Sequence, residues 1–560
     1  MENNRIVKKL QTYLYKRGFS FNNYPQKLRY IKKFNKKNKK EKSKFKKIKS
    51  KFLFKIQLAS LSIDKNVTNF WSNLNFKDRE NLSHIHRWTW AIYLLTGKNS
   101  KKNKIKKINF IKGAINNWCY KYGNYKINYN NIIFEPYNIS ERLANYSLLV
   151  KLGYLKKDKE VLKVLKNQLV FLTENLEFYY KKNSNHVLNN ARGILLFSRI
   201  IDNKHYINFA LKIIFILIPK FIDKNGFFKF CSSHYQLIFS RWIFDINFFL
   251  EKKILSNICK KVLSACYFFV QKNNNKNINM PFFGNISPDF KPYWILNFIN
   301  RDKSFKDFIY QYWKKYNNNL IVKFKKSKGS NEWIKNKQND LTIFLRNPKI
   351  YGLDFNHSHN DFFHFVLYYK KNPIIIDLGK LNYSLESYNK YNSGKLHNSI
   401  IINKDAIFDD YLPNKIQTKL GLKNINNCDY KVKNNNNKII CSSKYNKEYF
   451  FRELILEKKK ITIKNKIKLN NFKDIDLPFF IHNSAKINKI KKNYYKIKNK
   501  NFNAIINSSS KNITFSSIKN LNKSKTHSFF GYGDKVSTKS INFCVKKVKN
   551  LNLSIKINFY

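Results

Sequence analysis

No apolar run in this sequence approaches the roughly 20 residues that a membrane-spanning helix needs. The longest runs, such as Ile213 to Ile218, stop at Lys212 on one side and at Pro219 and Lys220 on the other, which excludes a transmembrane helix. The start, Met-Glu-Asn-Asn-Arg-Ile-Val-Lys-Lys-Leu, lacks the apolar stretch and small-residue cleavage site of a secretory signal, so the sequence by itself points to the cytoplasm. Cysteine is sparse and odd in number: Cys119, Cys231, Cys259, Cys266, Cys428, Cys441 and Cys544, with no Cys-x-x-Cys pair. That pattern argues against a disulfide framework and a thiolate zinc site, and predicts reduced, mostly buried thiols. Acidic residues are few, 34 against 109 Lys and Arg in 560 residues, a formal net charge of +75. The low hydrophobicity of a disordered chain is missing too, since 43% of residues are hydrophobic and 16% aromatic. The chain therefore folds, and at roughly 150 residues per domain its length allows two to four domains.

Such a basic chain invites a nucleic-acid reading, because clustered Lys and Arg release counterions from phosphates. Two features weigh against it. The excess is nearly all Lys, spread along the chain among Asn, Ile, Phe and Tyr, and Arg, the residue suited to bidentate phosphate contacts, is scarce. A solvated Lys-rich surface is the favoured reading, and it would attract any polyanion, acidic polysaccharide included. Only Ile31 to Lys55, IKKFNKKNKKEKSKFKKIKSKFLFK, concentrates the charge. It reads as a mobile basic arm or linker within an N-terminal segment, residues 1–60.

From about Phe70 to Asn318 the apolar spacing is helical. Leu143, Tyr146, Val150 and Tyr154 follow Asn138 and Glu141, a pair placed like an N-cap with its reciprocal acid. The same period runs through Val187 to Ile201, Phe209 to Phe221, Leu237 to Leu250 and Ile254 to Phe269, which implies stacked antiparallel helical hairpins. Beyond Asn319 the period becomes two, as in Ile461, Ile463, Ile467 and Leu469 or Leu551 to Phe559, with Asn434 to Asn437 as a turn. Helices first and strands afterwards predict two segregated domains, residues 61–318 and 319–560, an α+β multidomain chain.

Histidines are few, eleven in all, and they are densest in Phe355-Asn-His-Ser-His-Asn-Asp-Phe-Phe-His364, followed by a strand, a Lys-Lys-Asn-Pro turn, a second strand and Asp377-Leu-Gly379. If residues 357–361 are extended, His357, His359 and Asp361 share a face, and a hairpin returns Asp377 beside them. Two imidazoles and a carboxylate suit Zn²⁺, with His397 as the nearest further nitrogen. A His-x-His pair is equally well a hydrogen-bonded surface pair.

HSHNDFFHFVLYYKKNPIIIDLG followed by YNKYNSGKLHNSIIINKDAIF resembles the C-terminal sheet domain of heparinase II/III-like polysaccharide lyases, with their His-Gly-His-x-Asp, Asp-x-Gly and Ala-His-Asn-Thr-like elements. Glu135-Pro-Tyr-Asn-Ile-Ser-Glu-Arg142, Asn185-His186 with Asn189-Asn190, Asn225-Gly226 with Ser233-His-Tyr235, and Phe530-Gly-Tyr-Gly533 are similar to further family elements. The resemblance, over about residues 70–560, implies an N-terminal incomplete (α/α) toroid and a C-terminal antiparallel β-sandwich. It implies β-elimination on a uronate-containing glycan, with Asn185 and His186 neutralising the carboxylate, Tyr235 as acid and for some substrates base, and His357 as alternative base. It also implies His359, Asp377 and His397 as ligands of a mainly structural divalent ion, Zn²⁺ or else Ca²⁺ or Mn²⁺. Family members that degrade imported polysaccharide are usually periplasmic. Ser358 stands where the family has Gly, and Lys395 near a usual Arg.

Each residue has a plainer reading. Asn185 would be a helix N-cap, His186 a half-buried imidazole, Tyr235 a core tyrosine, and His84, His86, His234 and His364 packing residues. Two other functions fit the same chain: a glycan-binding or glycan-modifying protein such as an epimerase of envelope biosynthesis, and a polyanion or nucleic-acid binder working through the basic arm.

Overall fold

A computed structural model describes residues 45–96, 100–125, 127, 131–177, 185–229, 232–250, 253–272, 278–292, 329–330, 332–347, 357, 359–380, 382–383, 393–407, 429–445, 447–508, 513–520 and 530–560. The basic arm up to residue 44, Cys231, Cys428 and Ser358 lie outside the described residues. The chain divides into two compact units, Met1–Gly226 with Leu237–Leu263 and Pro288–Lys325, and Phe227–Gln236 with Ser264–Ser287 and Lys326–Tyr560.

The first unit opens with a hairpin, β1 Phe54–Gln57 and β2 Ser62–Lys65, and is otherwise helical among the described residues. Its helices are α1 Arg79–His86, α2 Thr89–Leu95, α3 Lys101–Tyr122, α4 Pro136–Lys151, α5 Lys159–Glu174, α6 Asn185–Ile200 and α7 Lys204–Phe221, with most of α8 Ser233–Leu250 and α9 Lys253–Phe269. Caps fix several starts: Ser100, Asp158 and Asn203 each accept a backbone N–H from the first turn of α3, α5 and α7. α5 buries Val161, Val164, Leu165, Leu169 and Leu172, one stripe of a 3.6-residue period. α4 and α6 pack closely because residue 193 is glycine, where a Cβ would lie 2.6 Å from the Ser140 carbonyl oxygen.

Asn138 and Glu141 do not cap a helix. α4 starts earlier, at Pro136, whose fixed φ and missing N–H suit a first helical position. That leaves Asn138 inside the helix, accepting from Arg87 Nε at 2.7 Å, and Glu141 paired at 2.8 Å with Arg192. Arg192 also grips Asp245 of α8, at 2.6 Å through its second terminal nitrogen. A buried network of this kind ties helices together, and deleting one partner costs roughly 3–5 kcal/mol.

The second unit holds a short hairpin, β3 Gln271–Lys272 with β4 Ile278–Asn279, and one 15-stranded antiparallel array. β5 Trp333–Gln338, β6 Leu341–Arg346, β7 Phe365–Tyr369 and β8 Asn372–Ile375 form successive hairpins. β9 Ile401–Ile402 and β10 Asp405–Ala406 follow, then the meander β11 Asp429–Asn435, β12 Lys438–Tyr445, β13 Glu448–Glu457 and β14 Lys460–Ile481. β15 Lys486–Lys491, β16 Tyr494–Asn499, β17 Phe502–Ser508, β18 Phe515–Asn520 and β19 Lys539–Phe559 complete it. β14 and β19 pair along nearly their whole length, with register shifts between Lys468 and Ile475. Bulges bend strands and let one strand serve two layers. The first half of β14 pairs with β13, and the second half meets β8 and β9. Between the layers lies one apolar core, including Phe365, Leu454, Ile463, Leu477, Phe543 and Ile557, each such side chain contributing roughly 1.5–3 kcal/mol on burial.

Candidate active site

In the second unit Ser232 Oγ accepts the Tyr235 N–H at the start of α8, so Tyr235 sits in its first turn. The chain at 281–287 is stitched to that turn: Ser233 N–H donates to the Phe283 carbonyl at 3.1 Å, Ser233 Oγ donates to the Pro281 carbonyl, and His234 Nδ1 accepts the Ser287 N–H. The same stretch carries Asn285, whose N–H donates to the His357 carbonyl at 2.8 Å. His357 is thereby held against Tyr235, the two rings stacked with centroids 3.7 Å apart and planes 13° apart. The Tyr235 hydroxyl meets the Tyr383 hydroxyl at 2.5 Å. Tyr383 packs near Tyr532 of the Phe-Gly-Tyr-Gly element, ring centroids 5.7 Å apart.

Among the described residues, 357 and 359–361 belong to no paired strand, so the expected common face does not arise. Asp361 turns away and takes both Nε and a terminal nitrogen of Arg346, at 2.9 and 2.6 Å. His359, Asp377 and His397 come together instead, one ligand atom from each lying within 4.8 Å of the others, all buried. Asp377 is aimed by a turn closed at Gly379, where φ is +70° and the N–H donates to Asp377 Oδ1 at 2.7 Å. Its other oxygen faces His397 Nδ1 at 2.9 Å and His364 Nε2 at 3.0 Å. His364 Nδ1 accepts the Asn398 N–H, which leaves its proton on Nε2 toward Asp377. Burial alone would raise the Asp377 carboxyl, but the flanking imidazoles hold it well below the usual carboxylate range.

Asn285 bridges this cluster to the Tyr235–His357 pair. Its Oδ1 accepts from His359 Nε2 at 2.9 Å, and its Nδ2 faces His357 Nδ1 at 3.4 Å. The His359 proton then sits on Nε2, leaving a buried Nδ1 lone pair with no hydrogen-bond partner among the described residues. Burial, followed by the charge of His397, lowers the affinity of His359 for a second proton. An orphaned imidazole lone pair beside a carboxylate and a second imidazole fits a divalent ion, and the two-nitrogen, one-oxygen donor set fits Zn²⁺. Close by, Lys380 is buried with its Nζ 5.3 Å from the Tyr383 ring centroid, and burial pushes its amine down to about 7.

The first unit holds Asn185 and His186 at the N-terminus of α6. Asn185 does not cap that helix: among the described residues its amide hydrogen-bonds nothing, although it is buried. His186 Nδ1 meets Glu177 Oε1 at 2.8 Å, and the other Glu177 oxygen accepts from Asn190 at 3.0 Å. Burial works against the imidazolium, but the Glu177 charge and hydrogen bond outweigh it and raise the His186 pKa. With its side chain 40% exposed, His186 is open to solvent-borne ligands. Its ring lies 4.6 Å from Tyr137, whose hydroxyl donates to Asp289 at 2.6 Å.

His84 and His86 pack as expected, His84 against the Asp289 carbonyl and His86 accepting from Trp118 Nε1. Lys395 forms an ion pair with Asp405. Asn285, Tyr383, Lys380 and Glu177 carry no sequence signal apart from Tyr383, which follows Asp377-Leu-Gly379 by four residues.

The family described as Heparinase II/III-like, C-terminal, matches residues 332–557. Comparison with curated proteins gives no match. Among solved structures, one described as heparinase III aligns with a TM-score of 0.63 at 14% identity, covering 88% of this chain and 79% of that one. A mutant of the heparan sulfate lyase HepC from Pedobacter heparinus gives 0.54 at 14% identity, over 91% and 81%. The Streptomyces coelicolor A3 chondroitin AC lyase in complex with chondroitin sulphate gives 0.50 at 6% identity, over 87% and 76%. At these identities the likeness is one of fold, a helical toroid and a β-sandwich. On that fold and on the match across its sheet, the chain resembles the heparinase II/III-like family and carries a heparinase II/III-like C-terminal domain.

Proposed function

We propose that the protein is a polysaccharide lyase that cleaves a uronate-containing acidic polysaccharide by β-elimination. The observation that carries this reading is the Tyr235–His357 stack, with Tyr383 hydrogen-bonded to the phenol, in a chain sharing the fold of heparinase III. In β-elimination a base removes the C5 proton, the C5–H electrons form the C4=C5 double bond, the C4–O4 bond breaks, and O4 receives a proton. A base for the C5 proton and an acid for O4, roles that one group can fill in turn, and a group that neutralises the adjacent carboxylate are needed, and no co-reactant.

Tyr235 protonates O4, and the Tyr383 hydroxyl is its hydrogen-bond partner, able to donate to the phenolate form. The base depends on Asn285. With Asn285 Nδ2 against His357 Nδ1, the neutral His357 ring carries its proton on Nε2 and acts there as a donor. Turning the amide over would free His357 Nε2 as a base, but would also push the His359 proton onto Nδ1. Ligation through His359 Nδ1 is compatible only with the present orientation, in which Tyr235 serves as both base and acid: as phenolate it takes the C5 proton, and it then passes that proton to O4. Asn185 and His186, whose charged form Glu177 favours, are assigned to the substrate carboxylate. His359, Asp377 and His397 would hold the divalent ion, Zn²⁺ on its donors with Ca²⁺ or Mn²⁺ as the other candidates. When bound, it supplies fixed charge that ties three segments together, a mainly structural contribution.

The test is incubation with heparan sulfate, alginate or hyaluronan in deuterated water, with products read by NMR. Chains ending in a C4=C5 double bond support the lyase. Deuterium at C5 without chain cleavage would mark an epimerase and overturn it.

A further inference from the structure

We infer that the outward face of β12, β13 and β14 is a second polysaccharide-binding surface, built for an acidic glycan chain; its ligand class rests on the uronate reading above. Strand alternation sends Phe450 and Leu454 of β13 into the core and leaves Tyr449 and Phe451 on the outer face. Their rings lie 6.4 Å apart with planes 26° from parallel, an aromatic pair side by side on the sheet face. Register places Lys468 opposite Tyr449 and Lys466 opposite Phe451 on β14, with Lys444 opposite Tyr449 on β12. The three lysines are exposed, and Lys466 Nζ stands 5.9 Å from the Phe451 centroid.

An aromatic pair on a hydrated sheet face has water to lose, and the C–H faces of sugar rings stack on such surfaces because the ring face is electron-rich. The flanking ammonium groups are not consumed locally. The nearby carboxylates are taken by other lysines, Glu453 by Lys438 at 3.0 Å and Lys464 at 3.3 Å, and Asp429 by Lys431 at 3.0 Å. Among the described residues Lys444, Lys466 and Lys468 make no ion pair. Stacking rings bordered by free cations match a chain that alternates apolar ring faces with carboxylate or sulfate groups. Single-stranded nucleic acid is the rival for such a platform. It is disfavoured because these strands lack exposed arginine. The one arginine in β11 to β14 and β19, Arg452, is buried and bonded to the Phe363 and Asn398 carbonyls.

Binding of heparan sulfate, alginate and a single-stranded DNA oligomer is measured by calorimetry on the Tyr235→Phe protein, so that no chain is cut. Added Tyr449→Ala with Phe451→Ala, or separately Lys466→Glu with Lys468→Glu, should weaken polysaccharide binding about tenfold or more. The matched control Lys489→Glu with Lys492→Glu, on the exposed β15–β16 hairpin, should change it less than about twofold. Thermal unfolding identifies any variant that misfolds, and the lysine pair, wholly at the surface, serves if the aromatic pair does. Unchanged affinity in the face variants, equal loss in the control, no polysaccharide binding at all, or a matching loss for DNA overturns the inference. Elimination assayed on a tetrasaccharide with Tyr235 intact separates the two readings. Cleavage with normal binding by the face variants sinks only this surface; face-dependent binding without any elimination sinks only the lyase.

Discussion

Tyr235 and His357, 122 positions apart in sequence, lie with their rings face to face at 3.7 Å. The stack places a phenol hydroxyl and an imidazole edge side by side, the smallest arrangement that can both accept and donate protons around one sugar ring. Tyr235→Phe keeps the stack and removes only the hydroxyl. It should lower kcat roughly a hundredfold to ten-thousandfold with circular dichroism and Tm unchanged. A fall in Tm matching the loss of rate would mean that the hydroxyl is structural.

Tyr383 is predicted to support Tyr235 rather than to touch the bond that breaks. Tyr383→Phe should cost about tenfold in kcat, the value of roughly one hydrogen bond to the reacting phenol, with KM little changed. The readout is steady-state kinetics on the preferred glycan, and an effect as large as that of Tyr235→Phe would exchange their roles.

The purified protein should contain one divalent ion per chain, read by elemental analysis. Chelation should lower Tm, since an ion present at a thousandfold over its Kd stabilises by about 4 kcal/mol. Asp377→Asn should abolish the ion and most of the shift. An unmetallated protein whose Tm ignores chelators would leave the three residues as a hydrogen-bonded core.

Glu177 favours the charged form of His186. The folded pKa is raised, so the stabilisation from the pair is present below the unfolded value near 6.5 and lost as pH rises through the folded one. Glu177→Gln should lower the His186 pKa in an NMR titration and move the alkaline limb of the kcat/KM profile to lower pH. An unmoved limb would remove His186 from carboxylate binding.

Lys380 works in the opposite sense. Its folded pKa is depressed from 10.5 to about 7 by burial, so between those values the unfolded chain binds more protons and stability rises with pH. At roughly 1.4 kcal/mol per pKa unit, Lys380→Met should be stabilising by a few kcal/mol at pH 6 and by little at pH 10, measured by denaturant unfolding. A pH-independent difference would locate the lysine charge in solvent.

Periodicity carried most of the fold. The 3.6-residue stripes of α4 and of α6 to α9 and the alternation along β14 and β19 are local properties, fixed by which residues must leave water. What failed was non-local. Asn138 with Glu141 reads as a cap until Pro136 starts the helix earlier and Arg87 and Arg192 claim the two side chains. Asp361 shares a face with His359 only in an extended segment, and Arg346, fifteen residues upstream on β6, draws it elsewhere. Motif spacing brings out Tyr235, His357, His359, Asp377 and His397, whereas Asn285 and Glu177 sit in irregular chain with no pattern, and only the folded path brings them to their imidazoles.

The most direct measurement is ultraviolet absorbance during incubation with an acidic polysaccharide, comparing wild type with Tyr235→Phe and His357→Gln. Because Tyr235 takes the C5 proton and passes it to O4 while His357 donates through Nε2, absorbance from the new conjugated double bond should rise with wild type, slow at least about a hundredfold with Tyr235→Phe, and persist at a more modestly reduced rate with His357→Gln. A rise with Tyr235→Phe at close to the wild-type rate would contradict the account.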